Sequence, residues 1–453
     1  MSVVTLQVGQ CGNQVGGQMF GTLLDDAFAK PSTTHVSATK NEEYIQEVCS
    51  RFFSEDSGKR SEEEHDLKAR AVMVDMEPKV IAQTCADARR TGLWAYPSKQ
   101  QFCQKRGSGN NWAHGYSLHG NRVSEQILSM VQREAEKCDY IGGFLALMSL
   151  AGGTGSGLGA HLTQSLRDEF PHSFIVNQVV WPYNTGEVIV QNYNALLTLS
   201  HLYQTADAIL VLENDDLHRV CSQLMNLKKI SFRDINWVIS MKMAGFLQPV
   251  FAGRSCDRLV TNHLGDLLEH LVPHPDYKLL TVKNIPQMSD QAVEFSTYQW
   301  PGLLKHLRQM LIANAAMEEG INWQVTVGDQ TPRGTIKHNR CLANLLTLRG
   351  RDLATADSSP FSEPRLYASW MPADCTLKEW AQPRAFSRYE KCGTLLSNSR
   401  SAIGPLDHVI GKAWRMFSAR AYVHQYVKHG LTEDDFLDSF ATLEQILDNY
   451  RTL

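Results

Sequence analysis

Several features that would assign a protein to a specialised class are lacking here. No stretch approaches the roughly 18 consecutive apolar residues of a membrane span, so no membrane partner is expected. The chain of 453 residues has no internal repeat and no low-complexity tract. Charge of one sign is not in excess either: 44 Lys and Arg stand against 48 Asp and Glu, a net −4. That balance argues against nucleic acid as a partner and against disorder. The ten cysteines are scattered without a Cys-x-x-Cys pair, which removes the usual zinc spacing and points to reduced thiols in the cytoplasm. The first residues enter a strand pattern with no basic n-region or apolar h-region, so no secretory leader is expected. Two familiar phosphate signatures are absent as well: the Gly-Lys-Ser/Thr of a P-loop and the Gly-x-Gly-x-x-Gly of a dinucleotide site.

What is present is a different glycine stretch: Ala151, Gly152, Gly153, Thr154, Gly155, Ser156 and Gly157. It follows an apolar run over residues 144–150 and precedes Leu158, Leu162, Leu166 and Phe170 at helical spacing. A buried strand, a glycine turn and a helix start are the parts of a phosphate cradle, because exposed N–H groups and the helix dipole together hold negative charge. Each charge-assisted bond of that kind is worth roughly 1.5–3 kcal/mol, so several hold a polyphosphate. A tight turn with no ligand is the plain alternative.

Four more turns resemble it in kind. A strand over residues 3–8 ends at Gly9-Gln10-Cys11-Gly12-Asn13-Gln14, ahead of a helical pattern. A strand over 71–75 ends on Asp75, Met76, Glu77 and Pro78, carboxylates placed either for a ligand or to cap the next helix. Residues 107–112 are rich in Gly and Asn and precede a helix over 124–137. A strand over 174–180 runs into a Pro/Gly loop, after which Glu187 and Gln191 lie one turn apart at a helix start. A further strand, 208–212, ends at Glu213-Asn214-Asp215-Asp216, suited to a helix N-terminus. Strands alternating with helices predict an α/β fold with a doubly wound, mostly parallel sheet. Such a sheet holds a nucleotide at its carboxyl edge, which is where these turns fall. Residues 30–66, mixed in Thr, Ser and charge, read as a solvated surface loop.

The second half reads differently. Ser231-Phe232-Arg233-Asp234 has capping-box form and opens a central helix over 232–246. Asn236 stands amid its apolar pattern, either solvated or reading a ligand. A helix over 264–275 is stopped by two prolines. Short apolar runs at 278–282, 342–348 and 394–396 alternate with helical ones such as 303–314, which suggests a second, smaller α+β domain. The tail is helical over 405–426, and again after Thr432 with Phe436, Phe440, Leu443, Leu447 and Tyr450 on one stripe. The expected division is a Rossmann-like nucleotide domain over 1–213, a central helix and intermediate domain over 214–397, and a C-terminal helical pair over 398–453.

Gly-Gln-Cys-Gly-Asn-Gln, Val-Asp-Met-Glu-Pro, Gly-Ser-Gly-Asn-Asn-Trp-Ala and Gly-Gly-Thr-Gly-Ser-Gly, in this order and spacing, resemble the tubulins over essentially the whole chain. Val272-Pro273-His274-Pro275 and Tyr422-Val423-His424-Gln425-Tyr426 match later tubulin segments. Ala151 replaces the first glycine of the family motif, and the acidic tail of the common α and β members is missing. These departures look most like the minor δ branch, which is associated with centrioles and basal bodies. The resemblance implies GTP and Mg²⁺ as cofactors. Gln10 and Cys11 are then expected along the phosphates and base, with Ser149 and residues 151–157 cradling the phosphates. Ser108, Gly109 and Asn110 approach the γ-phosphate, and Asp75 and Glu77 hold the Mg²⁺ shell through water, Glu77 being the metal-site residue. Asn214 and Asn236 read the guanine edge, Phe232 stacks on the base and Glu187 faces the ribose, while Gln191 stands where β-tubulin has an acid.

In tubulins a residue on the helix before Val272-Pro273 points at the nucleotide of the next subunit, and an acid there supports hydrolysis. An ungapped count places Asp266 at that position, as the candidate catalytic group. A surface acid on a polymer contact is the alternative. The resemblance therefore implies a cytoskeletal subunit that contacts other tubulins longitudinally and works with centriolar microtubule proteins at the centrosome, centriole or basal body. A GTP-bound adaptor or cap that never hydrolyses is the alternative function, kept open by the missing tail and by the scarcity of basic residues over 286–298. A dinucleotide oxidoreductase is disfavoured for want of its glycine fingerprint.

Overall fold

Seven consecutive residues, Ser2–Val8, form strand β1 and are all buried. A strand buried on both faces belongs inside a parallel sheet covered by helices. That is the arrangement in the computed structural model, which describes residues 1–30, 34–55, 67–186, 188–288, 293, 298–328 and 338–453. These residues divide into two units, the first made of Met1–Gly21, Cys49–Asn214 and Ile403–Asn449.

In the first unit, β1 is followed by β2 (Phe53–Glu55), β3 (Leu67–Ala69), β4 (Ala71–Asp75), β5 (Trp94–Ala95), β6 (Gln101–Cys103), β7 (Ile141–Ser149), β8 (Ile175–Trp181) and β9 (Ala208–Glu213). The main strands pair in the order β6-β4-β1-β7-β8-β9, every pair parallel. The chain thus starts in the middle, builds outward through β4 to β6, and returns to the other side of β1 for β7, β8 and β9. Between β1 and β7 the direction of building reverses, and at such a switch point the loops after the two strands diverge and leave a crevice. The helices Asn121–Ala135 and Gly159–Glu169 cover one face, packing Ile127, Val131, Leu162 and Leu166 on Val4, Leu6, Val72 and Val74. The helix Ile403–Ser418 packs on the helix Gln191–Thr205. The doubly wound α/β expectation is met.

Thr22–Val48, Asp215–Ala402 and Tyr450–Leu453 make the second unit. Its strands β10 (Phe251–Ala252), β11 (Leu279–Ile285), β12 (Cys341–Gly350), β13 (Leu377–Gln382) and β14 (Lys391–Ser399) run in the order β10-β13-β12-β14-β11 with mixed directions. Three of these strands are the short apolar runs of the sequence. Trp300, Leu303 and Leu307 of the helix Trp300–Ile312 pack on Leu346, Leu348 and Leu395. The central helix is Phe232–Leu247, and its capping box closes in both directions between Ser231 and Asp234.

Some expectations are corrected. Within residues 30–66 the chain forms the helix Ala38–Phe52 and β2, with Tyr44, Val48 and Phe52 buried. The intervening charges obscured that stripe, and residues 61–66 lie outside the described ones. The helical stretch expected over 405–426 is two helices, Ile403–Ser418 and Val423–Val427. Arg420 and Tyr422 between them adopt left-handed backbone, φ 51° and 62°. Of residues 286–298, those at 289–292 and 294–297 are not among the described ones.

Candidate functional site

Strand β1 passes directly into the helix Gly9–Ala27, and Gly9 at the junction has φ +74°. The amide of Asn13 donates to the carbonyls of Gly9, 2.9 Å, and Val74, 3.0 Å, fixing this turn to the end of β4. A Cβ on Gly9 would stand 2.9 Å from the nitrogen of Gly155. The turns after β1 and β7 are therefore in direct contact at the switch point, an approach only glycine permits.

After β7 the chain runs through Ser149, Ala151 and Gly152 to Gly153, which caps one wide turn, Thr154–Leu158, before the helix Gly159–Glu169. The expected helix start is there, wound more loosely, with Gly157 and Leu158 both donating to the carbonyl of Gly153 at 2.9 and 3.4 Å. No side chain caps this turn and no acid stands in its first residues. Its N–H groups and positive dipole end are left for an anion. Inside the loop, the N–H of Ala151 donates to Ser149 Oγ at 3.2 Å, and Ser156 Oγ donates to the carbonyl of Gly152.

The turn after β6 joins the cradle from the side. Ser108 Oγ and Thr154 Oγ1 are hydrogen-bonded at 3.0 Å, either hydroxyl able to donate. A Cβ on Gly153 would lie 2.6 Å from the Asn111 carbonyl oxygen, and one on Gly157 would collide with that of Trp112. By contrast, among the described residues a Cβ on Gly152 would meet nothing nearer than Asn110 Oδ1 at 3.6 Å, and one on Gly109 nothing within 4 Å. The cradle is closed behind and open in front.

Asp75 ends β4 buried, its Oδ1 accepting from the N–H of Met76 at 2.7 Å and its Oδ2 without a hydrogen-bond partner among the described residues. Burial, opposed by the N–H groups of Met76 and Glu77, pushes its carboxyl up to about 6. An orphaned buried carboxylate oxygen fits a hydrated cation. Glu77 beside it is exposed, with its Oε1 3.3 Å from the place a Gly107 Cβ would take. Among the described residues no group of three His, Cys, Asp or Glu could hold a metal. Gln10 is exposed on the first turn after β1. Burial pushes the thiol of its neighbour Cys11 up to about 12, which favours the neutral form. Asn214 opens the helix Asn214–Arg219 directly after β9.

Phe232, Asn236 and Asp266 belong to the second unit. Phe232 is 60% exposed and Asn236, one turn on along the same face, is buried. Asp266 is half-buried in the first turn of the helix His263–Leu271, which Asn262 caps by accepting from the N–H of Gly265 at 3.2 Å. Glu187 lies outside the described residues. The helix expected to begin with it begins at Gln191, whose amide donates to the Tyr183 carbonyl at 2.7 Å.

One residue of the site had no place in the sequence reading. Asn194 donates to the carbonyls of Ala151 and Asn110 and accepts from the N–H of Trp112 and the hydroxyl of Tyr426. Its signal was compositional: a helix with Gln191, Asn192, Asn194 and Thr198 all buried keeps polar groups inside for a reason.

The family model described as "Tubulin/FtsZ family, GTPase domain" matches residues 2–222, the span that builds this site's sheet. The "Tubulin delta chain" of Canis lupus familiaris is 51% identical over 461 residues, covering 100% of both chains. The chain belongs to the tubulin family. The "Tubulin delta chain" of Homo sapiens is 50% identical, again over 100% of both chains. The "Tubulin beta-2 chain" of Emericella nidulans is 27% identical over 99% of this chain and 94% of that one. Tubulin GTPase domains imply GTP as the nucleotide and a cytoskeletal setting, with other tubulins as partners. The resemblance read from the glycine turns, including its δ character, agrees with these relatives.

Proposed function

We propose that the chain is a GTP-binding cytoskeletal subunit of the δ-tubulin kind, acting at centrioles and basal bodies to build or stabilise their microtubules. The observation that carries the nucleotide reading is the interlock at the switch point, where Gly9 touches Gly155 and Ser108 touches Thr154. Three turns then face one anion. The N–H groups of residues 151–157 and of the first turn after β1 hold the phosphates, and Ser108, Gly109 and Asn110 meet the γ-phosphate. Asp75 and Glu77 hold Mg²⁺ through water, and the ion would neutralise charge on the phosphates. Asn214 and Asn236 pair with the guanine edge, Phe232 stacks on the base and Glu187 takes the ribose. The centriolar role rests on likeness to the tubulin delta chains.

Asp266 is the group this chain would present to the nucleotide of the next tubulin along a longitudinal contact. A carboxylate there orients a water for attack on the γ-phosphate. In mixtures with other tubulins, Asp266→Ala is expected to lower GTP turnover by about 10²-fold or more while leaving nucleotide binding unchanged. Equal turnover would remove Asp266 from the chemistry and favour the second reading, a GTP-bound adaptor or cap that never hydrolyses. That reading draws on the side chain itself, one methylene shorter than Glu. The nucleotide released on denaturing purified protein tests the whole proposal: guanine nucleotide is expected, and NAD or none under any Mg²⁺ condition would overturn it.

A further inference from the structure

Asn194 is wholly buried and uses all its hydrogen-bonding capacity. Its Nδ2 donates to the Ala151 carbonyl at 2.7 Å and the Asn110 carbonyl at 2.8 Å. Its Oδ1 accepts from the Trp112 N–H at 3.0 Å and the Tyr426 hydroxyl at 2.6 Å. Two carbonyls face one end of the amide and two donors face the other, so only one orientation of the side chain satisfies them. Ala151 begins the glycine cradle and Asn110 belongs to the turn assigned to the γ-phosphate. Gly109 and Asn110 have consecutive positive φ, 56° and 55°, and the bond from Asn194 to Asn110 adds to those that hold the turn on either side, Ser108 to Thr154 and the N–H of His114 to Asn111 Oδ1.

Two more side chains follow the same route to the C-terminal segment. Asn111 donates to the carbonyl of Gln425 at 3.2 Å, and the Tyr193 hydroxyl donates to the carbonyl of Ala421 at 3.0 Å. The Tyr426 ring packs edge-on against Tyr193 at 5.5 Å and meets Phe436 at 5.4 Å, and Phe436 meets Phe417 at 5.4 Å. Phe436 and Phe417 lie on the helices Glu433–Arg451 and Ile403–Ser418, whose exposed sides carry Leu437 and Trp414. All of these residues lie in the first unit.

We infer that Asn194 is a positioning residue that makes the two phosphate turns act as one body and, through Tyr426, passes their state to the C-terminal helices. The surface of those helices then reports whether the bound nucleotide has its third phosphate. The inference rests on the GTP reading of the site. A contact network becomes coupling only if ligand state shifts both ends, and that is what the experiment reads.

Amide hydrogen exchange over residues 421–431 of the full chain is compared with GTP, with GDP and without nucleotide, for wild type, Tyr426→Phe and Asn194→Asp. In wild type, exchange is expected to be about fivefold or more slower with GTP than with GDP. Tyr426→Phe keeps the ring and removes only the hydroxyl. It is expected to erase the GTP–GDP difference while both nucleotides still bind. Asn194→Asp sets an oxygen against the Ala151 and Asn110 carbonyls and is expected also to lower GTP affinity by about tenfold. Should Asn194→Asp fail to fold, Asn111→Leu removes the parallel bond to Gln425 and is expected to shrink the difference. A purely structural role would raise exchange equally in every nucleotide state, and that result would overturn the inference. So would wild-type exchange that is identical with GTP and GDP although both bind, which leaves the GTP reading standing. A wild type that binds no guanine nucleotide would overturn both.

Discussion

Gly153 and Gly157 lie on the inner side of the cradle and Gly109 and Gly152 on its outer side, and the four differ in what a methyl group would meet. On the inner side it would strike backbone of residues 111–112, while on the outer side it would meet open space or a side-chain oxygen. The inner glycines serve the packing of one turn on another. Of the outer ones, Gly152 leaves room for something that is not protein, while Gly109 also answers to its own positive φ of 56°. A glycine motif therefore mixes two requirements, one of folding and one of binding, and substitution separates them.

The sharpest separation is expected at Gly157. Gly157→Ala drives a Cβ into the Trp112 carbonyl, a backbone atom that cannot give way, and overpacking of that kind costs about 3 kcal/mol or more. Denaturant unfolding should show the loss, or the variant should fail to accumulate folded. Stability within about 0.5 kcal/mol of wild type would break the inner–outer distinction. Asp75→Asn comes next. It removes a buried carboxylate whose Oδ2 has no partner among the described residues, so unliganded stability should hold or rise. GTP affinity in Mg²⁺ should fall by about tenfold or more, and in chelator the two proteins should bind alike. A Mg²⁺-independent loss would assign Asp75 to folding instead. The smallest effect is expected from Gly152→Ala, with unfolding unchanged and GTP affinity lowered by about threefold to tenfold, as one phosphate contact is crowded. Lost stability without lost affinity would move Gly152 to the inner class.

The glycine turns were legible because their requirement is local: a strand, a turn and a helix start are adjacent in sequence. The capping box at Ser231 was legible for the same reason, and it closes as expected. The helix Ala38–Phe52 was not, since Glu42, Glu43 and Glu47 fill positions between its buried residues and mimic a solvated run. Asn194 was hidden because its partners lie at 110, 112, 151 and 426, and no spacing along one chain announces a contact across 232 positions. The break at Tyr422 was hidden too: left-handed backbone at an aromatic residue runs against propensity and is sustained by its surroundings.

The hydrogen bond from Tyr426 to Asn194 has a consequence for how this chain is born. β1 precedes both β4 and β7 yet lies between them, so it has no parallel neighbour until residues 71–75 have been synthesised and no second one until 141–149. The unit that contains it takes in Ile403–Asn449, hundreds of residues downstream of β1. Contacts this distant in sequence slow folding and prolong the exposure of apolar strand edges. A nascent chain halted between residues 194 and 403 therefore carries the phosphate turns and Asn194 without Tyr426, the hydroxyl that completes the hydrogen bonds of that amide.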